Sequence, residues 1–301
     1  MALTLTPLSD LLGAEVSGVD CRTPPDAALQ ADIVAALHEH QVIVFRDQTL
    51  SPDELIAFSE PFGPLEMHVN QADGGYDRPN FHTVTNLDKD GNILPPPEAG
   101  REYNGTSTWH SDKSYMPLPS MATFLHGIEV TKEGGETLFA SLTHAYAALD
   151  EAEKARLDGL KCVHHWAQSL RNSGSRPATE EEERISPPVT HPLIRTHPGN
   201  GRKSLYIGNH ASHIEGMDEE EGRAEIFRLL DFATEGRFVY AHKWRVGDLV
   251  VWDNPSLVHK SAPYAKYEER RHLHRKPASV RVDHLENSRH KTGRGRKRRA
   301  A

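Results

Sequence analysis

Two hydrophobic rhythms divide this chain. Over residues 26–40, Leu29, Ile33, Val34 and Leu37 recur at helical spacing, which predicts an amphipathic helix. The run Gln41-Val42-Ile43-Val44-Phe45-Arg46 follows, short and rich in β-branched residues, the pattern of a buried strand. A second helix is predicted to open at Ser51-Pro52-Asp53-Glu54: serine caps it, proline suits the first turn, and glutamate three residues on completes a capping box. Leu55 and Phe58 give that helix an inner face, and Gly63-Pro64 ends it. Residues 219–234 repeat the helical rhythm, with Ile226, Phe227, Leu229 and Leu230 on or near the buried side. Residues 146–160 read as helical in two pieces. Elsewhere the apolar runs are short. Strands are expected within 3–20, at 81–85, 161–166, 204–208, 237–244 and 248–252, the last two joined by Val246-Gly247, and at 271–280. Short strands with a few outer helices imply a mainly β fold with flanking helices (α+β), not a doubly wound parallel sheet.

Breakers punctuate the rest. Gly74-Gly75, Asp90-Gly91 and Pro95-Pro96-Pro97 interrupt residues 70–105. An irregular insertion of that length is expected to be a mobile active-site loop. Residues 171–192, rich in Ser, Pro and Glu, read the same way. After Glu286 no acidic residue occurs, while Arg289, Lys291, Arg294, Arg296, Lys297, Arg298 and Arg299 crowd the end. The expectation is one domain over 1–286 and a basic, disordered tail at 287–301.

Charge and composition narrow the function. The formal net charge of −8 and the 37% apolar fraction suit a globular protein and argue against nucleic acid as a partner, despite the basic tail. Cys21 and Cys162 have no partner spacing and read as reduced thiols. No basic segment followed by an apolar run opens the chain, and no apolar stretch reaches membrane-spanning length, so a cytoplasmic enzyme without a membrane partner is expected. Nineteen histidines are too many for all to be ligands, so spacing has to select among them.

Three stretches carry the selection: Trp109-His110-Ser111-Asp112; Trp252-Asp253-Asn254 running on to His259; and Arg270-Arg271-His272-Leu273-His274-Arg275. On a β-strand, residues two apart share a face, so His110 and Asp112 can converge on one metal ion. His259 then completes two nitrogens and one oxygen, a set that leaves iron(II) positions open for a cosubstrate and dioxygen. In the last stretch the same alternation turns Arg271, Leu273 and Arg275 to one face and Arg270, His272 and His274 to the other. An arginine fork suits a carboxylate through two parallel hydrogen bonds.

With these motifs, the chain resembles the iron(II)- and 2-oxoglutarate-dependent dioxygenases typified by taurine dioxygenase and 2,4-dichlorophenoxyacetate dioxygenase. The resemblance runs from about Leu5 to Ser279. It is most specific in Trp-His-Ser-Asp, in Gly134-Gly135-Glu136-Thr137, in the run from Gly201 through Gly216, and from Val246-Gly247-Asp248 through Arg275. It implies a double-stranded β-helix (jelly roll) with iron(II) on His110, Asp112 and His259. The carboxylate at position 112 implies hydroxylation, since related halogenases lack it. Arg271 and Thr137 are implied to hold the distal carboxylate of 2-oxoglutarate, and Arg275 the anionic group of the substrate. His68 and Thr106 fall at further substrate-contact positions. Thr106 stands approximately where a taurine-binding asparagine would, which argues against taurine itself. His210 and His213 receive no role.

The implied reaction consumes O2 and 2-oxoglutarate, hydroxylates a small anionic molecule (aryloxyalkanoate, sulfonate or alkyl sulfate) and releases succinate and CO2. A homo-oligomer is implied as well. The alternatives are a cupin-like metal hydrolase or isomerase using the same ligands without 2-oxoglutarate, and a non-enzymatic binder.

Overall fold

The computed structural model describes residues 3–63, 82–96 and 105–278. His68, the tail 287–301, and the parts of the 70–105 insertion at 70–81 and 97–104 lie outside them.

The chain opens with strands β1 (Thr4–Pro7) and β2 (Ala14–Ser17), helix α1 (Ala27–His40), strand β3 (Val42–Phe45), helix α2 (Pro52–Ser59) and strand β4 (His82–Thr85). Next come β5 (Ala122–Glu129), β6 (Thr137–Ser141), α3 (Leu142–Ala148), α4 (Glu151–Leu157), β7 (Lys161–His164), α5 (Trp166–Asn172) and α6 (Glu180–Ile185). The last third holds β8 (Val189–Pro192), β9 (Ile194–Thr196), β10 (Lys203–Leu205), β11 (Ala211–Ile214) and α7 (Glu219–Ala233). It ends with β12 (Val239–His242), β13 (Leu249–Asp253), β14 (Leu257–Ser261) and β15 (His272–Ala278). The fold is mainly β with flanking helices.

Seven strands form the large sheet, in the order β1-β2-β3-β13-β5-β15-β4. Its β2–β3 pair runs parallel and its other pairs antiparallel. Opposite lies a smaller sheet, β12-β6-β14. Strict alternation assigns the two faces of the large sheet. Val42, Val44, Leu125, Val250, Trp252 and Leu273 pack inward with Phe139 and Leu257 of the small sheet. Ile43, Phe45, Phe124, Leu249 and Val251 face outward onto α1 and α2 through Ile33, Leu37, Leu55 and Phe58. Both faces are thus buried, which is why β3 and β13 read as unbroken apolar runs. A second core gathers α3, α4 and α7 against β6, β7, β10, β11 and β14.

The two capped helices form as their sequence dictates. Asp26 caps α1, and Ser51 with Glu54 closes the capping box of α2. Some elements fall differently from the sequence pattern, and others add to it. Strands β12 and β13 do not pair with each other: β12 lies against β6, and β13 between β3 and β5. Gly247, at φ 84, turns the chain from one sheet to the other. Residues 171–192 contain α6, with its own Thr179–Glu182 capping box, and β8. Helix α3 begins at Leu142, ahead of residue 146. Phe227 is 43% exposed, because Ile226, Leu229 and Ala233 occupy the inner face of α7.

Candidate active site

His110 and Asp112 are not on a strand. His110 makes an isolated antiparallel bridge to His259 on β14, donating its N–H to the His259 carbonyl at 3.1 Å and accepting one in return at 2.8 Å. The chain then turns, and Lys113 takes φ 51 immediately after Asp112. The two-residue spacing therefore works through a bridge and a tight turn. The structure brings the three residues together all the same: their candidate ligand atoms lie within 4.8 Å of one another. Asp112 Oδ1 is 3.7 Å from His110 Nε2 and 3.8 Å from His259 Nε2. Each gap is shorter than twice a metal–ligand bond of about 2.1 Å, so one ion can touch both members of either pair.

Hydrogen bonding prepares the donors. His110 Nδ1 lies 2.8 Å from the Thr108 carbonyl, which can only accept. The ring proton therefore sits on Nδ1 and leaves the Nε2 lone pair toward the centre. Thr123 donates its hydroxyl to Asp112 Oδ2 at 2.6 Å, and Asn254 Oδ1 accepts the Asp112 backbone N–H at 3.2 Å. Asn254 also accepts from Trp252 Nε1 and donates to Thr123 Oγ1, tying the carboxylate turn to β13 and β5. His259 packs against the rings of Phe139 and Trp252.

Burial and charge set the protonation states. Burial works against the Asp112 carboxylate, but the Arg275 guanidinium holds its pKa well below the usual range. Burial pushes the His110 imidazole below its ordinary value and His259 further still, so both stay neutral. Two neutral imidazoles and one carboxylate form a donor set suited to iron(II).

Arg271 precedes β15 and is buried, 5% exposed. Its Nη2 donates to the Gly135 carbonyl at 3.3 Å, and its guanidinium lies 5.7 Å from the centre of the Tyr264 ring. No carboxylate pairs with it among the described residues. Its backbone N–H donates to Asn86 Oδ1 at 2.8 Å. A buried cation without a counter-charge is costly, so an anion brought to this guanidinium would be stabilised by it. Gly134 and Gly135, at φ 68 and 69, make the approach possible: a Cβ on Gly134 would meet the Pro263 carbonyl oxygen at 2.4 Å, and one on Gly135 the Thr131 hydroxyl at 2.6 Å. Thr137 is buried two residues on and accepts the Trp244 Nε1–H at 3.0 Å, so its own hydroxyl proton remains to be donated.

Arg275 lies on β15 two residues after Leu273, on the same face by strand alternation, while Arg271 stands just ahead of the strand. It reaches the metal group rather than a glutamate: its Nη2 forms an ion pair with Asp112 Oδ1. Thr106 is exposed on a 3-10 turn, Gly105–Ser107, two residues ahead of Thr108. His210 is buried with Nδ1 3.0 Å from Ser114 Oγ, its ring 4.8 Å from Tyr115 and 6.3 Å from His110. His213 turns away to the Ser212 hydroxyl.

A family profile described as "Taurine catabolism dioxygenase TauD, TfdA family" matches residues 4–276. The chain belongs to this family of iron(II)- and 2-oxoglutarate-dependent dioxygenases. It is 37% identical over 270 residues to an alpha-ketoglutarate-dependent 2,4-dichlorophenoxyacetate dioxygenase of Cupriavidus pinatubonensis, covering 88% of this chain and 93% of that one. A (S)-phenoxypropionate/alpha-ketoglutarate-dioxygenase of Sphingobium herbicidovorans is 34% identical over 278 residues, covering 89% of this chain and 92% of the relative. The crystal structure of AAD-2 in complex with Mn(II) and N-oxalylglycine superposes with a TM-score of 0.80 at 32% identity, covering 94% of this chain and 99% of that one. Among the described residues, no helix is long and apolar enough to cross a membrane.

Proposed function

We propose that this dioxygenase hydroxylates a small anionic organic acid, an aryloxyalkanoate before a sulfonate or alkyl sulfate, and releases succinate and CO2. The observation that carries the reading is the clustered His110–Asp112–His259 group with Arg275 on its aspartate, together with a buried Arg271 that has no carboxylate partner among the described residues. The two relatives described above act on a dichlorophenoxyacetate and a phenoxypropionate, which supports the aryloxyalkanoate class.

In this reading His110, Asp112 and His259 hold the metal. When bound, iron(II) supplies the activation of dioxygen coupled to decarboxylation of the 2-oxo acid. The chain's residues supply position. Thr108 and Thr123 fix the His110 and Asp112 donors. Arg271 grips the distal carboxylate of 2-oxoglutarate and Thr137 donates its hydroxyl to the same group. Arg275 has more donors than its pairing with Asp112 uses, and turns the remainder to the substrate anion, so that the reacting C–H bond faces the metal. His68 and Thr106 are proposed as further substrate contacts. A hydrolase or isomerase on the same three ligands has no use for a buried Arg271, and family membership argues against it.

The facing seven- and three-stranded sheets are read as a double-stranded β-helix, within one domain over 1–286 and followed by a solubilising basic tail. The protein is read as a cytoplasmic homo-oligomer, its two buried cysteines being free thiols. Succinate release with iron(II), 2-oxoglutarate and a panel of phenoxyacetates, phenoxypropionates, alkylsulfonates and alkyl sulfates tests the function. Turnover on a phenoxyalkanoate with one succinate per product is expected. Turnover without 2-oxoglutarate would overturn the reading.

A further inference from the structure

A second trio, His38, His197 and Asp253, imitates the metal group: its candidate ligand atoms also lie within 4.8 Å of one another, and two of its members are buried. Its hydrogen bonds say otherwise. His197 Nδ1 accepts two backbone N–H groups, from Gly199 at 3.0 Å and Asn200 at 3.1 Å, so it carries no proton. The ring proton is on Nε2, which donates to Asp253 Oδ1 at 3.1 Å. A metal at Nε2 would have to displace that proton onto Nδ1, facing two donors. The His110 ring has the opposite arrangement, with Nδ1 donating and Nε2 free. The His197–Asp253 pair is a hydrogen-bonding device, with the His38 ring packed against it.

What it holds is the turn between β13 and β14. Asp253 Oδ2 accepts the Ser256 hydroxyl, the Ser256 N–H closes onto the Asp253 carbonyl at 3.1 Å, and Ser204 donates to the Pro255 carbonyl at 2.8 Å. Asn254 lies within this turn and makes two contacts with the His110–Asp112 motif directly and a third through Thr123. Its carbonyl accepts Ser111 Oγ at 2.9 Å, its Oδ1 accepts the Asp112 N–H, and its Nδ2 reaches Thr123 Oγ1, which donates to Asp112 Oδ2. Three residues past the turn stands His259. Close packing keeps the device in register: the His38 ring meets His197 edge-on at 4.7 Å, and a Cβ on Gly199 would come within 2.3 Å of His38 Cε1.

We propose that His197 is a positioning residue: through Nε2–H and Asp253 it sets the 253–256 turn, and the turn sets the spacing of the metal donors it never touches. The proposal rests on the reading of His110, Asp112 and His259 as the metal site. The test is Mn(II) affinity of the purified apoprotein, followed by the electron paramagnetic resonance of free Mn(II), with thermal unfolding recorded with and without the ion. His197→Phe keeps a ring but loses the donor, and should weaken Mn(II) binding about tenfold or more, the range seen when support for a ligand is removed. The Mn(II)-induced rise in Tm should shrink in step. His197→Gln restores an N–H toward Asp253 and should bind within about threefold of the unaltered protein. A purely structural role would lower the Tm of the apoprotein and leave Mn(II) affinity unchanged, which would overturn the proposal. If His197→Phe does not fold, Ser256→Ala decides: several-fold weaker binding is expected, and unchanged affinity would overturn it. His110→Ala separates the two readings. Abolished binding there, with unchanged binding in His197→Phe, sinks this proposal alone; retained binding sinks the metal site on which it rests. Two equivalents of Mn(II), one lost in His38→Ala, would show the second trio to be a metal site and overturn the proposal.

Discussion

Arg271 and Arg275 stand four residues apart, and their surroundings differ. Arg271 is enclosed without a counter-charge among the described residues, whereas Arg275 is paired with Asp112. Arg271→Ala should therefore raise the KM for 2-oxoglutarate by the equivalent of about 2–5 kcal/mol, the cost of removing one partner of a buried charged pair. Steady-state kinetics with 2-oxoglutarate varied check it; an unchanged KM would mean another cation holds the cosubstrate. Thr123→Val removes the hydroxyl that steadies Asp112 Oδ2 and should weaken metal binding by about tenfold to a hundredfold, measured by chelator competition. The first of these residues is legible in the sequence and the second is not. His110, Asp112, His259 and Arg271 announce themselves by residue type and order. Thr123 lies on β5, which sequence reading missed altogether, because Thr123, His126 and Gly127 interrupt its apolar run although the strand is buried on both faces. Asn254 was visible within Trp252-Asp253-Asn254, but its hold on Asp112 is a tertiary contact that no spacing encodes.

At the level of elements, helix caps were readable and strand partners were not. Ser51-Pro52-Asp53-Glu54 specifies its helix locally, and the bonds it promises are made. Whether β12 joins β13 or β6 depends on which sheet each strand faces, and two neighbouring apolar runs do not reveal that. Turns next to the site show how local geometry reaches the chemistry. Gly134→Ala would force a side chain into a left-handed backbone and against the Pro263 carbonyl, costing roughly 1–3 kcal/mol. Because the neighbouring Gly135 carbonyl meets Arg271, the same substitution should also raise the 2-oxoglutarate KM. Ser51→Ala is the contrasting case: it should cost about 1 kcal/mol of stability in urea unfolding and leave KM untouched, since α2 packs on the outer face of the large sheet, opposite the inner face that carries Trp252 and Leu273.

Across the whole molecule, buried imidazoles tie stability to pH. His164 is fully enclosed and its pKa is pushed well below 6.5 by burial, and His210 is lowered to about 3 by the same cause. Both groups stay neutral in the folded protein while the unfolded chain takes up protons below pH 6.5. The unfolded state then binds more protons, so stability falls as pH falls, by roughly 1.4 kcal/mol per pH unit for each such histidine until its folded value is reached. Urea midpoints at pH 7.5 and 5.5 should differ accordingly, and His210→Phe should flatten the dependence.

The backbone bridge between His110 and His259 carries a consequence for biosynthesis. During translation the first two donors leave the ribosome long before the third, and no local segment can mimic it. A half-made chain therefore has no complete cage for a redox-active ion. On the proposed ligand set, the third donor joins the other two only once β14 has paired with β6, so tight metal binding is expected to follow folding and not to precede it.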